Sequence, residues 1–140
     1  MITIRARVNN SKDQHQVTLQ TNASEHSIVI PPKAGGSGSS ANGGELLFLA
    51  LATCYCNDIY REAARRNIVV RSVRVEVAGE FGDAPGSPAE NITYKAIVEA
   101  EAPSDAIVDL MRYTDAVAEI QNSLRQATGV TLQTMEAVSV

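Results

Sequence analysis

The chain has no tryptophan and only two phenylalanines in 140 residues. Nothing in it interleaves aromatics with basic residues in the way single-stranded nucleic-acid binders do. It also lacks an excess of positive charge. Twelve Lys and Arg against sixteen Asp and Glu leave a net charge of −4, which argues against nucleic acid or an anionic membrane as partner. No apolar run is long enough for a bilayer: the longest is the eleven-residue stretch from Leu46 to Cys56, against the roughly 20 residues a spanning helix needs. Cysteine is scarce too. Cys54 and Cys56, two residues apart, make no disulfide framework. His15 and His26 have no ligand spacing around them, so no metal is expected. A glycine-rich segment runs from Gly35 to Gly44. It lacks the Lys-Ser/Thr of a phosphate-binding loop and the spacing of a dinucleotide fingerprint, so no cofactor is expected either.

What is present fits one ordinary α+β domain over residues 1–140. The apolar fraction is 44% and the charged fraction 20%, both normal for a globular chain. The N-terminus alternates apolar and polar residues instead of carrying a signal peptide's apolar core, so a cytoplasmic protein is expected. Residues 1–32 read as a strand meander. Ile2, Ile4, Ala6 and Val8 predict a half-buried strand over 2–8, with a turn at 9–13. Strands at 16–21 and 27–30 follow, the last ended by Pro31-Pro32. Residues 33–44 read as a mobile Gly/Ser loop. Residues 45–66 read as a central helix, with Glu45 in its first turn, Arg61, Arg65 and Arg66 in its last, and Asn67 as a left-handed stop. Residues 69–140 predict β-β-α-β. Strands at 69–81 and 92–100 flank a Pro/Gly turn, and a helix capped by Ser104 runs to Thr128 with a break that Asp115 could cap. A last strand covers 130–140. The order is therefore β-β-β-α-β-β-α-β, an antiparallel α+β arrangement.

The stretch Leu46–Cys56 is apolar all round its helix, and such a helix must be buried on every side. It also carries both thiols. On the helical wheel Cys54 shares a stripe with Leu47, Ala50, Leu51, Asn57, Asp58 and Arg61, where apolar gives way to polar. Cys56 lies among apolar neighbours and reads as packing. A thiolate needs partial access and positive neighbours. Arg61 is the candidate neighbour of that kind, and Asp58 opposes ionisation. Two residues apart on a helix, the thiols point about 200° away from each other and cannot pair without unwinding it.

The run Glu45-Leu-Leu-Phe-Leu-Ala-Leu-Ala-Thr-Cys54 resembles the Glu-Leu-Leu-x-Ala-Ala-Leu-Ala-x-Cys signature of the OsmC/Ohr family, the osmotically inducible and organic hydroperoxide resistance proteins. The meander, the Gly-rich segment and the Val-rich hairpin around it agree. The resemblance implies an intertwined homodimer, with antiparallel sheets around two long central helices. It also implies thiol-dependent reduction of hydroperoxides, with Cys54 as the peroxidatic cysteine and Glu45 as the signature glutamate. Glu45 lies two and a half turns from Cys54, about 13 Å along a straight helix, so it reaches a thiol only through the partner or a bend. Its other role is that of a first-turn carboxylate. The family draws an arginine from its N-terminal strands; Arg5 and Arg7 lie there, with no motif to choose between them. The family's second, resolving cysteine falls at Ala118-Glu119-Ile120-Gln121, where this chain has none.

Two functional readings follow. In one, the protein is a thiol peroxidase with a single catalytic cysteine, and an external thiol is its reductant. In the other, it is a non-catalytic dimer of the same fold that binds a small ligand near Cys54, and its thiol has an ordinary or raised pKa.

Overall fold

In the computed structural model, which describes residues 1–140, the N-terminal alternation folds into an antiparallel meander of β1 (Ile4–Ser11), β2 (Gln14–Thr21) and β3 (Ser24–Ile28). Both turns use a left-handed residue, Asp13 at φ 62° and Asn22 at φ 50°, a conformation that Asp and Asn tolerate better than most side chains. Val17 on β2 is buried, but β1 is exposed along its whole length, so it is not the half-buried strand its alternation predicts. β3 begins and ends earlier than the expected 27–30. The Gly/Ser segment is not a loose loop. Asn10 holds Gly38 twice, accepting from its N–H at 3.0 Å and donating to its carbonyl at 3.2 Å. Pro32 and Ser39 form a bridge across the segment's base. These elements make up the first of two compact units, Met1–Leu47; the second is Phe48–Val140.

The long helix α1 (Gly43–Arg65) starts two residues before its expected first position. Asn42 and Glu45 cap it reciprocally: the Glu45 N–H donates to Asn42 Oδ1 at 2.8 Å, and the Asn42 N–H donates to Glu45 Oε1 at 2.9 Å. That is a capping box with Asn in the Ser/Thr position. Asn67, at φ 56°, ends the helix as expected, with the Ile68 N–H donating back to the Ala63 carbonyl at 2.9 Å. The hairpin of β4 (Val69–Phe81) and β5 (Ala89–Glu101) follows. A two-stranded hairpin is marginal alone, and here helices cover one of its faces. Val70, Val73, Val75, Tyr94, Ala96 and Val98 pack on a core of Tyr55, Ile59 and Ala63 from α1 and Leu110 from α2 (Ser104–Val117). Val70 and Val73 reach the same face, although they are three positions apart, because the ladder slips between Val70 and Ser72; a bulge reverses the alternation. A second slip lies between Ala78 and Glu80. There a Cβ on Gly79 would stand 2.7 Å from the Phe48 ring, so the position has no room for a side chain.

Four expectations for the C-terminal third are corrected. Ser104 is the first residue of α2 rather than its cap; Pro103 stands at the cap without a side-chain bond. The helical region breaks at the buried Ala118 (φ −66°, ψ 111°), not at Asp115, into α2 and α3 (Glu119–Arg125). It stops short of Thr128, at a left-handed Ala127. Residues 130–140 form no strand, so the order is βββαββαα. Their side chains are exposed, and alternation makes a strand only where another backbone pairs with it.

Asp115 has a different task. It accepts from the Tyr94 hydroxyl and, at 2.7 Å, from Arg125 Nη2, tying β5, α2 and α3 together. Partial burial pushes its carboxyl up, but Tyr94 and Arg125 outweigh this and hold it below the usual carboxylate range. A depressed carboxylate stabilises the fold above its unfolded pKa of about 3.9, and that contribution is lost as pH falls through the lower folded value. Asp115→Asn is expected to cost about 1 kcal/mol at pH 7. The gap to the unchanged protein should narrow in urea titrations below pH 4, and a constant gap would contradict this assignment.

Candidate active site

The buried stripe of α1 runs through Leu51, Tyr55, Asp58, Ile59, Glu62 and Ala63. Its opposite face, Leu46, Leu49, Thr53, Asn57, Tyr60 and Ala64, is exposed in the chain. The helix is therefore not buried on every side within one chain, because the β4–β5 hairpin and α2 cover one face only. Cys54 lies at the seam between the two faces and is half-buried.

Around its sulfur stand two carboxylates. The Cys54 thiol donates to Asp58 Oδ2 at 3.6 Å, one turn on, and its Sγ lies 3.8 Å from Glu119 Oε2 at the start of α3. α3 is fastened there by Gln121, whose Nε2 donates to the Leu51 carbonyl at 3.0 Å. Arg61 joins both acids: its Nη1 lies 3.0 Å from Asp58 Oδ1 and 3.3 Å from Glu119 Oε1, and its Nε donates to Glu62 Oε1 at 2.9 Å. Each of the two carboxylates thus gives one oxygen to the arginine and the other to the sulfur.

This arrangement shapes the site's electrostatics. Burial pushes the Cys54 thiol above its ordinary value. The backbone N–H of Ile120 opposes that shift, while Asp58 and Glu119 add to it. Burial, with the Glu119 carboxylate beside it, also raises Asp58 despite Arg61. Glu119 moves the other way, held low by its own backbone N–H and then by Asp58 and Arg61. The positive neighbour expected for Cys54 is thus spent on carboxylates. A thiol raised above its ordinary value stays largely protonated at pH 7. Iodoacetamide labelling of Cys54 should accordingly be slow at pH 7 and still climbing at pH 9; a plateau reached by pH 7 would contradict the geometry.

The other expected residues fall elsewhere. The Glu45 carboxylate is committed to the capping box at the start of α1, and the hydrogen-bond partners of Cys54 are Asp58 and Glu119. Cys56 faces β4 and lines a recess of about 250 Å³ with Ala52, Val73 and Val75, which suits packing. Wheel geometry pointed to Asp58. Glu119, 65 residues away, gave no spacing signal of its own, although it falls inside the segment where the resemblance put a second cysteine. One sulfur and two carboxylate oxygens from Cys54, Asp58 and Glu119 lie within 4.8 Å of one another, close enough to share a cation. Arg61 already places one positive charge against both carboxylates and offsets part of theirs. No helix is long and apolar enough to cross a membrane.

The family profile described as OsmC-like protein matches residues 36–133. No curated protein matches the sequence significantly. Among solved structures, a hypothetical protein from Aquifex aeolicus superimposes with a TM-score of 0.62 at 15% identity, over 91% of this chain and 89% of that one. An OsmC-like protein from Mycoplasma pneumoniae gives 0.61 at 14% identity, over 86% and 87%. An OsmC-like hydroperoxide resistance protein from Jannaschia sp. gives 0.53 at 14% identity, over 98% and 93%. At these identities the likeness is one of fold: α+β, with two antiparallel sheets and three helices.

Proposed function

The chain belongs to the OsmC-like family, and from that footing we propose that it reduces organic hydroperoxides at Cys54 and is regenerated by an external thiol. The observation that carries the reading is the pairing of a half-exposed sulfur with a buried carboxylate able to exchange a proton with it, Cys54 Sγ to Asp58 Oδ2. The Jannaschia protein, whose fold the chain resembles, is described as a hydroperoxide resistance protein, which supports the substrate class.

The thiolate is the nucleophile, and in this site it forms as the peroxide is attacked. Asp58, lifted above the usual carboxylate range, is a better base than a free carboxylate and takes the thiol proton. The sulfur attacks the distal peroxide oxygen, the O–O bond breaks, and the departing alkoxide recovers the proton from Asp58. The products are a Cys54 sulfenic acid and an alcohol. An external thiol then attacks the sulfenic sulfur, releasing water and leaving a mixed disulfide, and a second thiol frees Cys54. Cys56 cannot replace the external thiol, since it faces the β4 side of the helix. Glu45 caps α1 in this scheme and enters the chemistry only if a second copy brings its own. A homodimer is part of the proposal, and the bare face through Leu46, Leu49 and Tyr60 is the surface we assign to the second copy.

The raised thiol equally fits a dimer that binds a small ligand at Cys54 without turnover. One assay separates the two. With cumene hydroperoxide and a dithiol, a peroxidase consumes many equivalents of peroxide per chain; a binding protein consumes none, and that result would overturn the reading.

A further inference from the structure

Building on that reading, we infer that Asp58 and Glu119 hold oxidised Cys54 as a neutral, hydrogen-bonded sulfenic acid and so protect it from a second molecule of hydroperoxide. The need arises from the cysteine count. The chain has two thiols, and the second lies on another face of α1. A sulfenic acid formed at Cys54 therefore has no internal partner and must persist until an external thiol arrives. While it waits, a further reaction competes. The sulfenate sulfur can attack the distal oxygen of another hydroperoxide; the O–O bond breaks, the alkoxide leaves and takes up a proton, and the cysteine becomes a sulfinic acid that thiols do not reduce.

The site is arranged against that second step. A sulfenic acid places an O–H on the sulfur, and a carboxylate is an acceptor with two oxygens. Both acids turn one oxygen to Sγ, Asp58 Oδ2 at 3.6 Å and Glu119 Oε2 at 3.8 Å. Their other oxygens, Asp58 Oδ1 and Glu119 Oε1, rest on Arg61 at 3.0 Å and 3.3 Å. Arg61 thereby holds two acceptors toward the sulfur. Acceptors and negative charge in this position favour the protonated sulfenic acid and disfavour the sulfenate anion. The same charges that slow ionisation of the resting thiol thus protect the oxidised one. Glu119 stands in the segment where the family resemblance placed a resolving cysteine: in place of a sulfur that would condense with the sulfenic acid, this chain presents a carboxylate that can accept its proton.

The experiment treats the full chain, Glu119→Gln and Asp58→Asn with graded cumene hydroperoxide and no thiol, then quantifies Cys54 by peptide mass spectrometry as dimedone-trapped sulfenic acid or as sulfinic acid. Removing one acceptor's charge should shift the sulfenic pKa by about one unit, so each variant, once converted to the sulfenic acid by one equivalent, should reach half-conversion to sulfinic acid at about tenfold less added hydroperoxide than wild type. Starting from the sulfenic acid keeps any change in the first oxidation, where Asp58 takes the thiol proton, out of the comparison. Glu119→Gln is a nearly isosteric change at an exposed position, so it reads out the inference even if the buried Asp58→Asn variant fails to fold. Over-oxidation of the preformed sulfenic acid at the same added hydroperoxide in wild type and Glu119→Gln would overturn the inference and leave peroxidase activity standing. A wild-type Cys54 that takes up no oxygen at any ratio would overturn the peroxidase reading itself, and this inference with it.

Discussion

Cys54→Ser should abolish thiol-dependent consumption of cumene hydroperoxide, by about a hundredfold or more, because a serine hydroxyl cannot supply the polarisable, ionisable nucleophile the step requires. Cys56→Ser should change the rate by less than about twofold, because its thiol has a packing role beside Val73 and Val75. The contrast between the variants matters more than either value. Both remove one thiol from the same helix, so a general effect of cysteine loss would appear in both. The geometry separates them: Cys54 alone has Asp58 at 3.6 Å to take its proton. Equal activity in the two variants would place the chemistry elsewhere.

The largest stability effect is expected at Ile59. It is 0% exposed and lies where α1 meets α2 and the hairpin, among Tyr55, Ala63 and Leu110. Truncation to alanine removes its transfer energy and leaves a cavity, together about 2–5 kcal/mol. That is a large share of the 5–15 kcal/mol typical of a whole domain. The surroundings have little freedom to close the gap. The Tyr55 hydroxyl is fixed on the Met111 carbonyl at 2.9 Å, its ring stands edge-on to Tyr94 at 5.0 Å, and its phenol is pushed up to about 12 by burial and Asp115. Ile59→Ala should therefore lower the thermal midpoint by about 10 °C or more. Cys54 sits one turn before Asp58 on the same helix, so loosening this core should also reduce peroxide turnover. A shift within 2 °C or so would mean that α1 is not the core element described here.

Much of this was legible in the residues. The Glu45–Cys54 run placed the helix and its thiol, and strands grouped as hairpins between helices pointed to the α+β class. Asn67 marked the helix end because few residues other than glycine accept φ 56° so readily. Wheel spacing put Asp58 beside Cys54. What stayed hidden was non-local or cooperative. Glu119 meets the sulfur only because Ala118 breaks the second helical region and Gln121 fastens α3 to Leu51, and no local pattern encodes that. Ser104 looked like a cap, yet Pro103 holds that place with its fixed φ of −61°. Residues 130–140 alternate like a strand, but alternation describes a surface and does not provide the pairing partner. The completely apolar helix suggested burial on every side; one chain buries one side and leaves Leu49 59% exposed.

The most direct test of the central claim is trapping with one equivalent of hydroperoxide. The protein is mixed with cumene hydroperoxide at equal concentration in the presence of dimedone, then digested, and the peptide carrying Cys54 and Cys56 is fragmented to locate the adduct. Dimedone bonded to Cys54, with Cys56 unmodified, is the predicted result. An adduct on Cys56, or unmodified thiols at both positions after the hydroperoxide has had hours to react, would contradict the account.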